Sequence, residues 1–160
     1  MFLCLLLSWF CVSLGQPSLE HDSLRVRRSL FEACEQIVCA DKGTVSQPCA
    51  IYMGYGCWCG PGNFDHRPID STDSCCKTHD LCYSQAHEGN CSAYSVNYKW
   101  HCDSNNVSCG VENSKCALAV CKCDADLAGC LAALPVPRQK ARCPTNRRPP
   151  KLHPLAMEIE

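Results

Sequence analysis

A histidine and a carboxylate stand side by side in Cys75-Cys76-Lys77-Thr78-His79-Asp80-Leu81-Cys82-Tyr83. Spacings of four and three place Cys75, His79 and Cys82 on one stripe of a helix. Cysteines bonded from that stripe to a second element would hold His79 between two fixed points. An imidazole held this way, beside an Asp able to carry a metal ion, is equipped to activate water. Alone, His79 reads more readily as a satisfied structural histidine and Asp80 as a surface acid. The surrounding residues decide between the two readings.

The elements that must position the pair are legible in outline. Ser71-Thr72-Asp73 are good N-capping residues, so a helix is predicted from there to about Ala86, ended by Gly89-Asn90. A second helix is predicted from about Glu112 to Leu131. On the first, Cys75 and Cys82 are seven apart; on the second, Cys123 and Cys130 are seven apart. Seven residues is about two turns, so each pair lies on one face. Antiparallel helices would then be bridged as Cys75–Cys130 and Cys82–Cys123, although spacing alone leaves many other pairings open. With that pairing Asp124 comes within reach of His79 and Tyr83, giving a His–Asp dyad on two stapled helices. Each staple in a small secreted domain contributes roughly 2–5 kcal/mol. Upstream, Leu30, Phe31, Ala33, Ile37 and Val38 recur at helical spacing, predicting a short amphipathic helix. Gly54 to Gly62 holds four glycines and a proline, which is a loop. Residues 94–109 alternate aromatic and polar groups and predict a short hairpin with Asn105-Asn106 at its turn.

The chain has 160 residues, which points to one domain, and 18 cysteines, which point to a disulfide scaffold. Phe2 to Leu14 is an apolar run ending in Ser13-Leu14-Gly15. It reads as a secretory signal peptide over residues 1–15, without the usual basic residue before the run. A membrane anchor needs about 20 apolar residues, more than are present. Secretion implies an oxidising compartment and paired cysteines, which sets aside a zinc-binding Cys/His module. Residues 16–28 end in Arg25-Val26-Arg27-Arg28 and read as a propeptide, leaving Ser29 as the mature N-terminus; the alternative is an uncleaved linker. Removing residues 1–15 leaves sixteen cysteines, all within residues 29–143, the predicted domain. Residues 144–160 are rich in Pro and charge, have no cysteine, and read as a disordered tail. From Ser29 onward twelve basic residues face fourteen acidic ones, so no basic balance argues for nucleic acid or for tight binding to anionic membranes.

Three blocks together resemble the secreted phospholipase A2 family: Tyr55-Gly56-Cys57-Trp58-Cys59-Gly60-Pro61-Gly62, then Asp73 to Tyr83, then Cys121-Lys122-Cys123-Asp124. The resemblance covers nearly all of residues 29–143. Cys39, near the end of the first helix, places it with the pancreatic and elapid-venom (group I) branch. It implies a mainly α, disulfide-rich fold: two long antiparallel bridged helices, an N-terminal helix, a calcium-binding loop and a small β-hairpin. It also implies the pairs Cys39–Cys102, Cys57–Cys143, Cys59–Cys76, Cys75–Cys130, Cys82–Cys123, Cys91–Cys116 and Cys109–Cys121. Cys34 and Cys49 stand outside that pattern, and an eighth bond between them is the expectation.

The activity implied by the resemblance is calcium-dependent hydrolysis of the sn-2 ester of glycerophospholipids at membrane surfaces. His79 would be the base, Asp124 would orient it, and Tyr83 and Tyr98 would hold Asp124. Asp80 and the backbone carbonyls of Trp58, Gly60 and Gly62 would bind Ca²⁺, oxygen ligands that this ion prefers. The Gly60 N–H would meet the oxyanion, and Leu30 and Ile37 would line the substrate channel. The protein would be a secreted monomer that touches membranes peripherally. Several positions depart from the branch: Trp58 in the loop, an extra residue between Cys59 and Cys75, Ala33 for a usual Phe and Glu32 for a usual Gln. The other class kept open is a non-catalytic binding or toxin protein on the same scaffold. Leu30 and Trp58 read equally as an interfacial rim or as core, and Trp100 as packing. Asn90-Cys91-Ser92 and Asn106-Val107-Ser108 are glycosylation sequons.

Overall fold

The computed structural model describes residues 31–43, 45, 47–60 and 66–144. The signal and propeptide readings over residues 1–28, the residues Leu30 and Gly62, and the tail beyond Pro144 lie outside them. Residues 31–40 form helix α1 and Pro48–Tyr52 the short helix α2. Helix α3 covers Ser71–Glu88, strand β1 Trp100–Asp103, strand β2 Asn106–Cys109 and helix α4 Lys115–Ala132. This is the mainly α, disulfide-rich architecture expected.

Helix α3 starts at Ser71, as expected, but none of the Ser-Thr-Asp cluster is its cap. Its N-cap is Asp70, in extended conformation, whose carboxylate accepts the Asp73 N–H at 2.9 Å. Asp73 therefore does not cap, and its carboxylate is free for another use. At the far end Gly89 caps the helix and Asn90 takes the left-handed conformation, φ 60°. Helix α4 is capped by Ser114, whose hydroxyl accepts the Ala117 N–H at 3.2 Å. Its inner face is small or slim, with Ala117, Val120, Cys121 and Ala128 all buried. Small side chains let α3 and α4 lie close enough for direct Cys–Cys bonds.

Those bonds are Cys75–Cys130 and Cys82–Cys123, with Cα separations of 5.9 and 5.7 Å. Their order along the two helices makes α3 and α4 antiparallel. The other expected pairs are formed too, Cys39–Cys102, Cys57–Cys143, Cys59–Cys76, Cys91–Cys116 and Cys109–Cys121. Cys34 bonds Cys49, which ties α1 to α2. Apolar burial is spread over three modest clusters. One gathers Tyr83, Tyr98 and Val120, a second Ile37, Tyr52 and Leu131, a third Tyr55 and Trp58. Cores this small leave much of the stability to the cross-links.

Three sequence expectations shift by small amounts. The hairpin is confined to residues 100–109, and its turn is Ser104-Asn105, not Asn105-Asn106. The register pairs Asp103 with Asn106, and both central residues have positive φ, 51° and 67°. That is the primed turn which suits the twist of two strands. Phe31 is 62% exposed, so the buried face of α1 runs through Ala33, Gln36 and Ile37 instead. Trp58 is only 5% exposed, which resolves its two readings toward packing. Trp100 packs against the Tyr83 cluster, as anticipated.

Candidate active site

The stapled helices bring His79 of α3 against Asp124 of α4. His79 Nε2 and Asp124 Oδ1 are 2.6 Å apart, and Asp124 is 0% exposed. The Tyr83 hydroxyl donates to the same oxygen at 2.8 Å, and the Tyr98 hydroxyl donates to Oδ2. A buried carboxylate is tolerated only when its lone pairs are taken up, and here three donors do so. Because Asp124 is the acceptor, Nε2 carries a ring proton, and in the neutral ring it is Nδ1 that keeps a lone pair. Nδ1 faces Asp80, whose Oδ1 is 3.8 Å away. The Tyr83 ring lies 4.2 Å from the imidazole, centroid to centroid, and fixes its plane from one side.

Electrostatics favour a charged imidazole. Burial alone lowers the His79 pKa, but the Asp124 hydrogen bond and then Asp80 outweigh it, raising it to about 9. Burial pushes the Tyr98 hydroxyl well above its ordinary value, and the charge on Asp124 adds to the rise. Tyr98 therefore stays a donor at any working pH.

An open groove of about 350 Å³ between α3 and α4 reaches His79, which itself is 15% exposed at its side chain. Leu81, Gln85, Asp126 and Leu127 line it with the two inter-helix disulfides. Ile37 is not among the lining residues. It is 5% exposed and packs with Tyr52, Cys75 and Leu131.

The glycine loop before α3 is held from inside by Asp73, a role that sequence reading missed. The fully buried Asp73 carboxylate accepts the N–H groups of Cys57 at 3.0 Å, Trp58 at 2.7 Å and Ile69 at 3.0 Å. Gly56 sits at φ 61°, and a Cβ there would collide with that carboxylate. Gly56 also donates to the Ala141 carbonyl at 2.9 Å, beside the Cys57–Cys143 bond, so the loop is anchored to the end of the domain. Trp58 is fixed by its indole N–H, which donates to the His66 carbonyl at 2.9 Å, and by Lys77 Nζ 5.0 Å over its ring. Asp70 completes the frame. One oxygen caps α3, and the other accepts the Tyr55 hydroxyl at 2.5 Å, a bond that chiefly raises the Tyr55 pKa to about 12.

Gly60 takes φ 138°, a conformation reserved for glycine. Its N–H donates to the Trp58 carbonyl at 2.9 Å. For that hydrogen to meet an oxyanion, this bond must open. Among the described residues no three His, Cys, Asp or Glu side chains converge to hold a metal ion. The Asp80 carboxylate fits use as a cation ligand, since it is partly open to solvent and lies 3.8 Å from His79 Nδ1.

Stapled antiparallel helices, a His–Asp pair held by two tyrosines and a glycine-rich loop beside a carboxylate define a small disulfide-built hydrolase-like site. The phospholipase A2 family model matches residues 30–142, and the chain belongs to that family. The group 10 secretory phospholipase A2 of Homo sapiens is 43% identical over 110 residues, 68% of this chain and 64% of that protein. The acidic phospholipase A2 KBf-grIB of Bungarus fasciatus is 39% identical over 119 residues, 71% of this chain and 82% of that protein. The chain thus spans somewhat less than two thirds of the human relative.

Proposed function

We propose that this protein is a secreted, calcium-dependent phospholipase A2 that cleaves the sn-2 ester of glycerophospholipids, releasing a fatty acid and a lysophospholipid. The observation that carries the reading is the 2.6 Å His79–Asp124 contact, with Asp124 wholly buried and Nδ1 turned toward Asp80. His79 Nδ1 takes a proton from water as the water oxygen attacks the ester carbonyl carbon. Asp124 stabilises the imidazolium that results, while Tyr83 and Tyr98 keep its carboxylate aimed at Nε2. The same proton then passes to the glycerol oxygen as the ester C–O bond breaks. The Gly60 N–H donates to the oxyanion once it has left the Trp58 carbonyl. Asp80 and the carbonyls of Trp58, Gly60 and Gly62 would hold calcium, which when bound would supply positive charge to the reacting ester.

Work at a membrane surface is supported by exposed apolar groups around the site. Leu81, 50% exposed, lines the groove, and Tyr94, 55% exposed, packs edge-on against Tyr83. Among the described residues no helix is long and apolar enough to cross a membrane; a peripheral contact, made by a monomer, is part of the same proposal. The deciding assay is fatty-acid release from phosphatidylcholine–phosphatidylglycerol vesicles, in calcium and in EGTA. Release of the sn-2 acid only in calcium supports the reading. No release by the fully oxidised protein moves the assignment to the non-catalytic binding or toxin class.

Calcium at Asp80 and a proton on His79 compete, because Asp80 contributes to the raised imidazole pKa. In EGTA the His79 ring should titrate near 9, and calcium should lower that value. The base must be neutral to act, so the acid limb of the activity profile should fall below the calcium-free pKa. Imidazole NMR with and without calcium checks this; an unchanged titration would detach Asp80 from the metal.

Secretion also exposes the two sequons to glycosylation. Asn106 and Ser108 are both exposed on strand β2, whereas Asn90 is followed by Cys91, buried at 5% and bonded to Cys116. Expression in a secretory eukaryotic host should place glycan on Asn106 and little on Asn90. Peptide mass mapping after endoglycosidase treatment reads the occupancy.

A further inference from the structure

Gln36 stands on the buried face of α1 and is 0% exposed, among neighbours that would accept an apolar side chain. Its Nε2 donates to the Tyr98 hydroxyl oxygen at 3.1 Å and lies 3.9 Å from Cys121 Sγ. Its Oε1 is buried with no hydrogen-bond partner. An orphaned buried amide oxygen costs stability. A leucine or methionine there would avoid that cost.

The orientation of the amide follows from the site. Tyr98 has one hydroxyl hydrogen, and it goes to Asp124 Oδ2. Asp124 can only accept, so that hydrogen cannot be turned elsewhere without stripping a donor from a buried charge. The Tyr98 oxygen is then left as an acceptor. It must face the NH₂ end of Gln36, which leaves Oε1 without a partner. The unsatisfied oxygen is the consequence of keeping an N–H on Tyr98.

We propose that Gln36 is a positioning residue for the dyad, holding Tyr98 so that its hydroxyl stays aimed at Asp124. The line runs Gln36, Tyr98, Asp124, His79, and joins α1 to Nε2 of the His79 ring, opposite the reacting nitrogen, through three side-chain hydrogen bonds. Donation into the Tyr98 oxygen also polarises its O–H and strengthens the next bond in the chain. Tyr83 supplies Asp124 from α3 independently, so loss of Gln36 weakens the support without abolishing it. The inference rests on the proposed hydrolase reading of this same site.

The test uses Gln36→Met, which keeps the volume and removes the donor, and Gln36→Glu, which keeps the shape and presents an acceptor. Each is read in the oxidised, mature protein by vesicle hydrolysis in calcium, by thermal unfolding and by the downfield proton NMR signal of the Tyr98 hydroxyl. Gln36→Met should lower kcat about tenfold, the equivalent of one hydrogen bond, with KM within about twofold. Gln36→Glu should be worse, and both should shift or broaden the Tyr98 signal. Tyr98→Phe should absorb the effect, so that adding Gln36→Met to it changes kcat no further. Should both variants keep kcat and the Tyr98 signal, whatever happens to the melting temperature, Gln36 is packing only. Additive losses with Tyr98→Phe would overturn the proposal as well. If the wild type releases no fatty acid, the hydrolase reading fails, and the NMR signal alone still decides whether Gln36 holds Tyr98.

Discussion

His79→Gln should lower fatty-acid release by about 10²- to 10⁴-fold, the usual worth of a positioned base. The glutamine can still donate toward Asp124, but it has no nitrogen able to take a proton from water. Tyr83 and Tyr98 remain on Asp124, so the buried carboxylate is not abandoned and the fold should persist. A stability signature accompanies the loss and has a definite sign. The folded pKa of His79 is raised from 6.5 to about 9, so its contribution is fully present below 6.5 and disappears as pH rises through 9. In EGTA, denaturant unfolding should therefore find the variant weaker than wild type by a few kcal/mol below pH 6.5, converging above 9. Activity near the wild-type level would sink the assignment of the base.

Asp73→Ala should be the most destabilising change in the loop. It strips three inward-facing N–H groups, those of Cys57, Trp58 and Ile69, of one charged acceptor. Losing the acceptor of such a buried cluster costs about 3–5 kcal/mol. The strand of loop that offers the Trp58 and Gly60 carbonyls would lose its internal anchor. Calcium affinity should then drop about 10- to 100-fold, as for other losses of supporting contacts. Asp73→Asn keeps one oxygen and the volume and should fall between. Gly56→Ala should act in the same direction, since its methyl group would press on the same carboxylate. Urea unfolding and calcium titration separate the two effects. A loss below about 1 kcal/mol for Asp73→Ala would mean that water replaces the carboxylate.

The dyad was legible because cysteine spacing converts sequence separation into distance. Two pairs seven residues apart set the phase of α3 against α4, and Asp124 follows from its place beside Cys123. In the sequence Asp70 is passed over as the cap, and Asp73 reads as a capping residue, because the Ser71-Thr72-Asp73 cluster offers three good caps in a row. The spacing of three between Asp70 and Asp73 did hold the signal, a cap at the first and an amide donor at the fourth. What it lacked was the destination of the Asp73 side chain, which only the folded glycine loop supplies. Helix α2 has five residues led by Pro48, too short for any periodicity to show. Gln36 was hidden for a different reason. A polar residue within an apolar stripe looks like an imperfection until its partner, 62 residues away, is known. The hairpin turn missed by one residue because Ser104, Asn105 and Asn106 are all turn formers, and strand register chose between them.

An N-terminal helix is ordinarily the part of a domain that frays first. Here α1 is bonded to α2 through Cys34 and to the hairpin through Cys39, five residues apart. Neither end of that span can leave without carrying another element with it. Its amide hydrogens should therefore exchange with solvent late, together with those of α3 and α4, rather than in a fast local opening. The segment that holds Gln36 under Tyr98 would then share the slowest clock in the molecule, set by covalent bonds and not by the backbone ladder of its own helix.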